Sequence, residues 1–228
     1  MTRYGIDDLD RAIADSEARG FVKVLTVPGK DTILGVTIVG THAADLLAEY
    51  VLAMKHGLGL NNILGTIHTY PTLSEANKYA AGEWKMFKAD YTVIPWATFS
   101  DPEVARVGLN EQEAKEKAIA FEVTKYGIDD LDRALADSEA RGFVKVLTVP
   151  GKDTILGVTI VGTHAADLLA EYVLAMKHGL GLNKILGTIH TYPTLSEANK
   201  YAAGEWKRAH QPHALLKWVA RYHAWKRR

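Results

Sequence analysis

The sequence has no cysteine, which excludes disulfides, thiolate nucleophiles, iron–sulfur ligation and zinc sites built on sulfur. Long apolar runs are lacking too. Stretches such as residues 50–54 fall far short of the roughly 20 residues of a membrane helix. No charged segment followed by an apolar one opens the chain. We expect a protein of the cytoplasm without a membrane-spanning segment.

An excess of charge of one sign is also missing, because 27 Lys and Arg balance 27 Asp and Glu. The balance is uneven along the chain, since residues 208–228 hold six basic side chains and no acidic one. The tail has apolar residues at helical spacing: Leu215, Trp218, Val219, Tyr222 and Trp225. This pattern predicts an amphipathic basic helix that docks on its own domain or binds an anionic surface, such as a membrane or a nucleic acid.

The chain contains an internal repeat. Residues 2–85, the first repeat, recur as residues 124–207, the second repeat, and only three of 84 positions differ. The differing pairs are Arg3/Lys125, Ile13/Leu135 and Asn62/Lys184. A repeat under selection drifts at its surface, where change is usually tolerated within about 0.5 kcal/mol. The near-identity therefore indicates a very recent duplication or an engineered chain, and Met86 at the seam favours the second.

Both repeats have the same predicted elements. In the first repeat they are a helix over 7–18, a hairpin of strands 21–27 and 32–39, a helix from Thr41 to Gly57, a short helix after Asn61, and a helix over 71–84. The strands are rich in β-branched residues and flank a Pro-Gly turn sequence. The helix from Thr41 has apolar residues at helical spacing.

Residues 86–123, the single-copy segment, have no second copy. Strands are predicted over 92–99 and 121–126, a strand or a bend over 104–108, and a helix over 111–117. Added to the second repeat, they predict an α+β fold with one antiparallel sheet and helices on one side. We expect a partial domain over 1–85 and a complete one over 86–228. The first repeat then exposes an unpaired sheet edge.

Three stretches carry a family resemblance: IPWATFSDPEVARVGL at 94–109, IVGTHAADL at 38–46 and YPTLSE at 70–75. They resemble the C-terminal dimerisation domain of flavin-dependent pyridine nucleotide-disulfide oxidoreductases, the family of glutathione reductase, dihydrolipoamide dehydrogenase and mercuric reductase. The resemblance implies a module that pairs subunits and reaches into the partner's active site.

The family's FAD and NAD(P) domains have no counterpart in the sequence. Gly57-Leu58-Gly59 lacks the third glycine of a dinucleotide fingerprint and follows a helix rather than a strand. Since the redox cysteines are missing as well, we expect no bound cofactor and no catalysis in isolation. We expect self-association, within the chain or between copies.

Candidate site residues follow from the same resemblance. Many family members have a histidine before the Pro-Thr pair, acting as an acid/base with the glutamate five residues later. The matching positions in this sequence are Tyr70 with Glu75, and Tyr192 with Glu197. Tyrosine at this point resembles the mercuric reductase branch, but the C-terminal cysteines of that branch are missing.

Two further interpretations remain open at these positions. His68 and His190, two residues upstream, could replace the family histidine if the loop is rearranged. Alternatively, Thr72 and Glu75 have the spacing of a capping box and need only a structural role.

His42 and His56 lie near the ends of a predicted helix without a partner at metal-ligand spacing, so we expect no metal site. The leading hypothesis is a non-catalytic interaction module. The alternatives are a fragment that completes a flavoprotein active site in trans, and a basic-tailed anion or nucleic-acid binder.

Overall fold

The computed structural model describes residues 1–84 and 91–211, together with Trp218, His223, Trp225 and Lys226. Met86 and most of the predicted tail helix, including Leu215, Val219 and Tyr222, lie outside the described residues. Within the part of the chain that is described, no helix is long and apolar enough to cross a membrane.

The first repeat forms a three-stranded antiparallel sheet with the strand order β1-β2-β3. Its elements are strands β1 (Thr2–Gly5), β2 (Phe21–Thr26) and β3 (Ile33–Val39), and helices α1 (Asp10–Ala14), α2 (Ala43–Lys55), α3 (Leu60–Leu64) and α4 (Glu75–Gly82). The predicted hairpin is confirmed, because β2 and β3 pair from Phe21 opposite Val39 to Thr26 opposite Ile33.

The second repeat and the single-copy segment share one five-stranded antiparallel sheet with the order β4-β5-β8-β7-β6. The strands are β4 (Pro95–Thr98), β5 (Glu103–Gly108), β6 (Glu122–Gly127), β7 (Phe143–Thr148) and β8 (Ile155–Gly162). The helices are α5 (Glu111–Glu116), α6 (Asp132–Ala136), α7 (Ala165–Lys177), α8 (Leu182–Leu186) and α9 (Glu197–Ala209). Helix α7 packs on β5 and β8, and α9 packs on β6 and β7, as expected for the α+β fold.

The short helix α5 is bonded to a side chain on the opposite face of this sheet. Lys145 alternates with the buried Val144 and Val146 along β7, and its Nζ donates a hydrogen bond to Glu111 in α5 at 2.7 Å. Leu147 lies on the same face as Lys145, two residues on, and is fully buried. The sheet of the second repeat is therefore covered on both faces at this point.

The predicted helix over 7–18 is wrong. A 3-10 turn at Ile6–Asp8 is separated from the five-residue α1 by Leu9, whose backbone is extended and whose side chain is buried in the core. Ser16 then takes a positive φ of 58°. Burying Leu9 requires a backbone direction that a continuous helix does not provide.

The predicted helix over 71–84 is also shorter, since α4 begins at Glu75. The Thr72 hydroxyl donates to the Thr69 carbonyl at 2.7 Å rather than capping a helix amide. Half of the predicted capping box remains, because the Glu75 carboxylate accepts a hydrogen bond from the Thr72 amide at 3.1 Å.

The single-copy segment pairs with the second repeat. Strand β5 pairs with β8 from Glu103 opposite Gly162 to Gly108 opposite Gly157. Strand β3, the counterpart of β8, lies at the edge of its sheet in the part of the chain that is described. The expected unpaired edge is therefore found at β3.

Candidate functional site

The two repeats contact each other through α2 and α7, with reciprocal hydrogen bonds. The Ser74 amide donates to Asp167 Oδ1 at 2.7 Å, and the Ser196 amide donates to Asp45 Oδ1 at 2.8 Å. Both carboxylates are buried in the first turn of their helix. Such an exchange of matched contacts is the signature of a two-fold, isologous interface.

Two histidine rings contact each other across this interface at a tilt of 44°. The rings of His42 and His164 have centroids 3.7 Å apart, and each residue precedes its helix with a φ of 56°. Burial is the largest influence on the pKa of His164 and lowers it, but the hydrogen bond to Asp167 at 3.3 Å and the charges of Asp167 and Glu103 together raise the pKa above its ordinary value. The two histidines are therefore part of the contact between the repeats.

One contact of the interface has no counterpart, because the single-copy segment occurs once. Glu103 at the start of β5 accepts a hydrogen bond from Arg11 Nη1 of the first repeat at 3.1 Å. It also accepts one from the Ala166 amide at the start of α7, at 3.3 Å. The contact joins the first repeat, the single-copy segment and the second repeat.

The predicted site tyrosines are exposed. The Tyr70 side chain is 63% exposed and Tyr192 is 66% exposed. Their hydroxyls donate to Asp10 Oδ2 and Asp132 Oδ2, each at 2.7 Å. These hydrogen bonds raise the pKa of both tyrosines, which places a neutral phenol at each site.

The predicted site glutamates are buried and have other partners. Besides the Thr72 amide, Glu75 accepts a hydrogen bond from the Tyr79 hydroxyl at 3.3 Å. Burial raises the pKa of Glu75. Glu197 accepts the matching bonds from the Thr194 amide at 3.1 Å and from Tyr201 at 3.4 Å. The glutamates thus hold the loop that carries the tyrosines.

Tyrosine and glutamate nevertheless line one open cavity in each repeat. The cavity of the first repeat measures about 240 Å³ and that of the second about 360 Å³. The second also has Glu205 and Arg208 in its wall, because α9 continues to Ala209 whereas α4 ends at Gly82. Tyr70 and Glu75 therefore share a surface without bonding to each other directly.

His68 and His190 are buried on the inner side of the same loop. His68 Nε2 lies 2.9 Å from Glu49 Oε1 and 3.0 Å from Oε2, while its Nδ1 lies 3.3 Å from the Thr66 carbonyl. Asn77 Nδ2 donates to the same Glu49 carboxylate at 2.9 Å. The side chain is directed away from the tyrosine cavity, so a role in place of the family histidine requires the loop to move.

The second repeat has the same network. His190 Nε2 lies 3.0 Å from both oxygens of Glu171, and Asn199 Nδ2 donates to Oε2 at 2.9 Å. Burial is the largest influence on the pKa of His190 and lowers it, but the charge of Glu171 and the hydrogen bonds to Glu171 and to the Thr188 carbonyl together raise the pKa above its ordinary value.

Sequence reasoning missed Asp45, Asp167, Glu49 and Glu171. The signal was present, since four carboxylates occupy otherwise apolar positions of two interface helices. Buried carboxylates need hydrogen-bond partners, and in this interface the partners are amides and imidazoles from other elements. Among the described residues, no group of three His, Cys, Asp or Glu side chains is placed to hold a metal ion.

Comparison with known proteins matches the chain to a family of oxidoreductases. The family model described as the pyridine nucleotide-disulphide oxidoreductase dimerisation domain matches residues 1–81 and 94–203. Dihydrolipoyl dehydrogenase of Staphylococcus aureus is 39% identical over 116 residues, which are 51% of this chain and 25% of that protein. Dihydrolipoyl dehydrogenase 2 of Haloarcula marismortui is 42% identical over 128 residues, 56% of this chain and 27% of that protein.

Among solved structures, the HOCl-induced flavoprotein disulfide reductase RclA from Escherichia coli is similar to this chain. The match covers 49% of this chain and 26% of the RclA chain. It has 22% sequence identity and a TM-score of 0.46. The chain spans about a quarter of the length of the curated relatives it matches.

Proposed function

Because the chain belongs to the family of pyridine nucleotide-disulphide oxidoreductase dimerisation domains, we propose that it is a non-catalytic interaction module. In this proposal its two repeats form, within one chain, the kind of two-fold pair that two subunits form through such domains. The observation that carries the proposal is the reciprocal pair of hydrogen bonds from Ser74 to Asp167 and from Ser196 to Asp45.

The proposal includes the absence of redox catalysis by this chain alone. No cysteine is available for disulfide exchange, and no glycine fingerprint for a dinucleotide occurs in the sequence. We further propose that the duplication is recent or engineered. Identity at 81 of 84 positions, exposed and buried alike, supports this origin.

The missing cysteines also provide a clean experiment. The variants His42→Cys and His164→Cys, combined in one chain, place two thiols on facing residues whose native ring centroids lie 3.7 Å apart. Oxidation should form a disulfide within one chain, so that the denatured protein migrates as a compact monomer. The two single variants are the controls, since neither can form this bond within a chain. A 42–164 disulfide that joins two chains would contradict pairing within the chain.

A second measurement tests the lack of catalysis. After incubation with FAD and removal of free flavin, we expect no visible flavin absorbance and no NAD(P)H oxidation. A stoichiometric flavin band would contradict the proposal.

The second candidate function, completion of a flavoprotein active site in trans, is favoured by one observation. Tyr192 is exposed at the mouth of a 360 Å³ cavity that also contains Glu197. Mixing the chain with a flavoprotein that lacks its own dimerisation domain tests it. NAD(P)H-dependent reductase activity that appears on mixing and falls with Glu197→Gln would establish this function, and activity unchanged by mixing would remove it.

A further inference from the structure

The edge of β3 is an interaction surface whose occupied form is present elsewhere in the same molecule. Residues 33–39 and 155–161 have the same sequence. In the second repeat this strand pairs with β7 on one side and with β5 on the other. In the first repeat, within the described residues, it pairs with β2 alone.

In the first repeat no described strand fills the position that β5 fills in the second, and we call this position the groove. Its floor consists of four side chains of β3 and α2 that are only partly buried: Val36, Ile38, Leu47 and Val51. Their counterparts are all at most 1% exposed: Val158, Ile160, Leu169 and Val173. The inward residues of β5, Ala105 and Val107, are themselves fully buried. An occupant of the groove must therefore present small apolar side chains at alternate positions.

One end of the groove has groups that correspond to those binding the Glu103 carboxylate in the second repeat. There, Glu103 is held by the Ala166 amide in the first turn of α7 and by Arg11 from the opposite repeat. The corresponding groups at the groove of the first repeat are the amide of Ala44 in α2 and the guanidinium of Arg133, which comes from the opposite repeat. The hydrogen bond to Asp137 is the main cause of the raised pKa of Arg133. The negative charge of Asp45, at the start of α2, also contributes, so Arg133 lies near this end of α2.

We propose that the β3 edge is a peptide-binding site for an extended segment that begins with an acidic residue and continues with small apolar residues at alternate positions. The template is Glu103, Ala105 and Val107 of β5. Binding adds a fourth strand to the sheet of the first repeat, as in β-augmentation, where main-chain hydrogen bonds provide affinity and alternate side chains provide specificity.

A second copy of the chain fits this site less well. Its own β5 is already paired with β8. Its β3 has no acidic residue to meet Arg133. The site thus selects a free segment of β5-like chemistry over the edge of another copy.

The test is an NMR titration of the ¹⁵N-labelled full chain with a synthetic peptide of residues 94–110, capped at both ends. NMR is required because mass spectrometry cannot distinguish the two strands, since residues 33–39 and 155–161 have the same sequence and hence the same mass. We expect one peptide to bind per chain. The amides of 33–39 should shift and exchange more slowly, while those of 155–161 stay unchanged.

Matched variants test the chemistry. The Glu103→Gln peptide should bind about three-fold to ten-fold more weakly, because it loses a charge-assisted hydrogen bond. The chain variant Arg133→Ala should weaken the native peptide similarly, whereas Arg11→Ala, which changes the occupied site, should leave its affinity unchanged. A peptide with Asp in place of Ala105 and Val107 should not bind.

Several results would overturn the proposal. One is the absence of any change at 33–39 at millimolar peptide. Another is equal affinity for the native and Glu103→Gln peptides. A third is a chain dimer that protects 33–39 before any peptide is added.

Discussion

The two repeats share 81 of 84 residues but differ in what surrounds them. Leu25 in β2 is 46% exposed, whereas its counterpart Leu147 in β7 is 0% exposed. Leu34 is 60% exposed, and Leu156 is half-buried. The second sheet is extended by β4 and β5 and is bonded to α5 on its outer face through Lys145 and Glu111, whereas the described part of the first sheet has no counterpart of these elements. The same local sequence thus forms the same strands, but the degree of burial depends on segments distant in the chain.

The largest expected difference concerns these leucines. Leu147→Ala should lower the free energy of unfolding by about 2–5 kcal/mol, because it leaves a cavity in a closed site. Leu25→Ala should cost less than about 1 kcal/mol, since half of that side chain already meets water. Urea unfolding of both variants measures the difference. Equal costs would mean that the first sheet is covered on the face that carries Leu25.

The interface aspartates provide the opposite case, in which the repeats should behave alike. Asp45→Ala and Asp167→Ala each leave a buried serine amide without its acceptor, at a cost of about 1–3 kcal/mol. We expect the two costs to agree, because the contacts are reciprocal at 2.8 and 2.7 Å. A clear inequality in urea unfolding would show that the contact between the repeats is not two-fold in energy.

A dependence of stability on pH should follow from the histidines of the second repeat. The pKa values of His164 and His190 are raised on folding, so the stabilisation is fully present below the unfolded pKa of about 6.5. It is lost as the pH rises through the higher folded values. We therefore expect the free energy of unfolding to fall from pH 6 upward.

Glu171→Gln is the variant that tests this origin, with Glu49→Gln as its match in the first repeat. Replacing Glu171 should flatten the part of the pH profile that arises from His190. A profile unchanged by Glu171→Gln would contradict the assignment.

The smallest expected difference is between two arginines. Arg11 bonds both Asp15 and Glu103, whereas Arg133 pairs, among the described residues, with Asp137 at 2.5 Å. These side chains are partly exposed, so each ion pair contributes at most about 1 kcal/mol. Arg11→Ala should therefore cost slightly more than Arg133→Ala in urea unfolding. A larger loss of stability for Arg133→Ala than for Arg11→Ala would mean that the ion pair between Arg11 and Glu103 does not stabilise the fold.

Much of the fold could be predicted from local sequence. The β-branched strands around the Pro-Gly turn predicted the hairpin, and the apolar spacing from Thr41 predicted α2. The break at Leu9 could not be predicted, because it depends on a core position that only tertiary packing defines. The reciprocal role of Asp45 and Asp167 was missed for the same reason, since their partners lie 151 and 93 residues away.

The candidate site was predicted only in part. The resemblance located Tyr70, Glu75 and their counterparts, and the structure places each pair on one cavity. The direction of His68 could not be predicted from spacing alone, because it depends on Glu49, a buried carboxylate of another element.

Amide hydrogen exchange resolved by NMR compares the two repeats most directly. Residues 21–39 and 143–161 have the same sequence, so their intrinsic exchange rates match, and any difference reports local opening. We predict faster exchange in the first hairpin, concentrated at β3, where the described residues leave the edge unpaired. Equal protection of the two hairpins in a strictly monomeric sample would contradict the assignment of the single-copy segment to the second repeat.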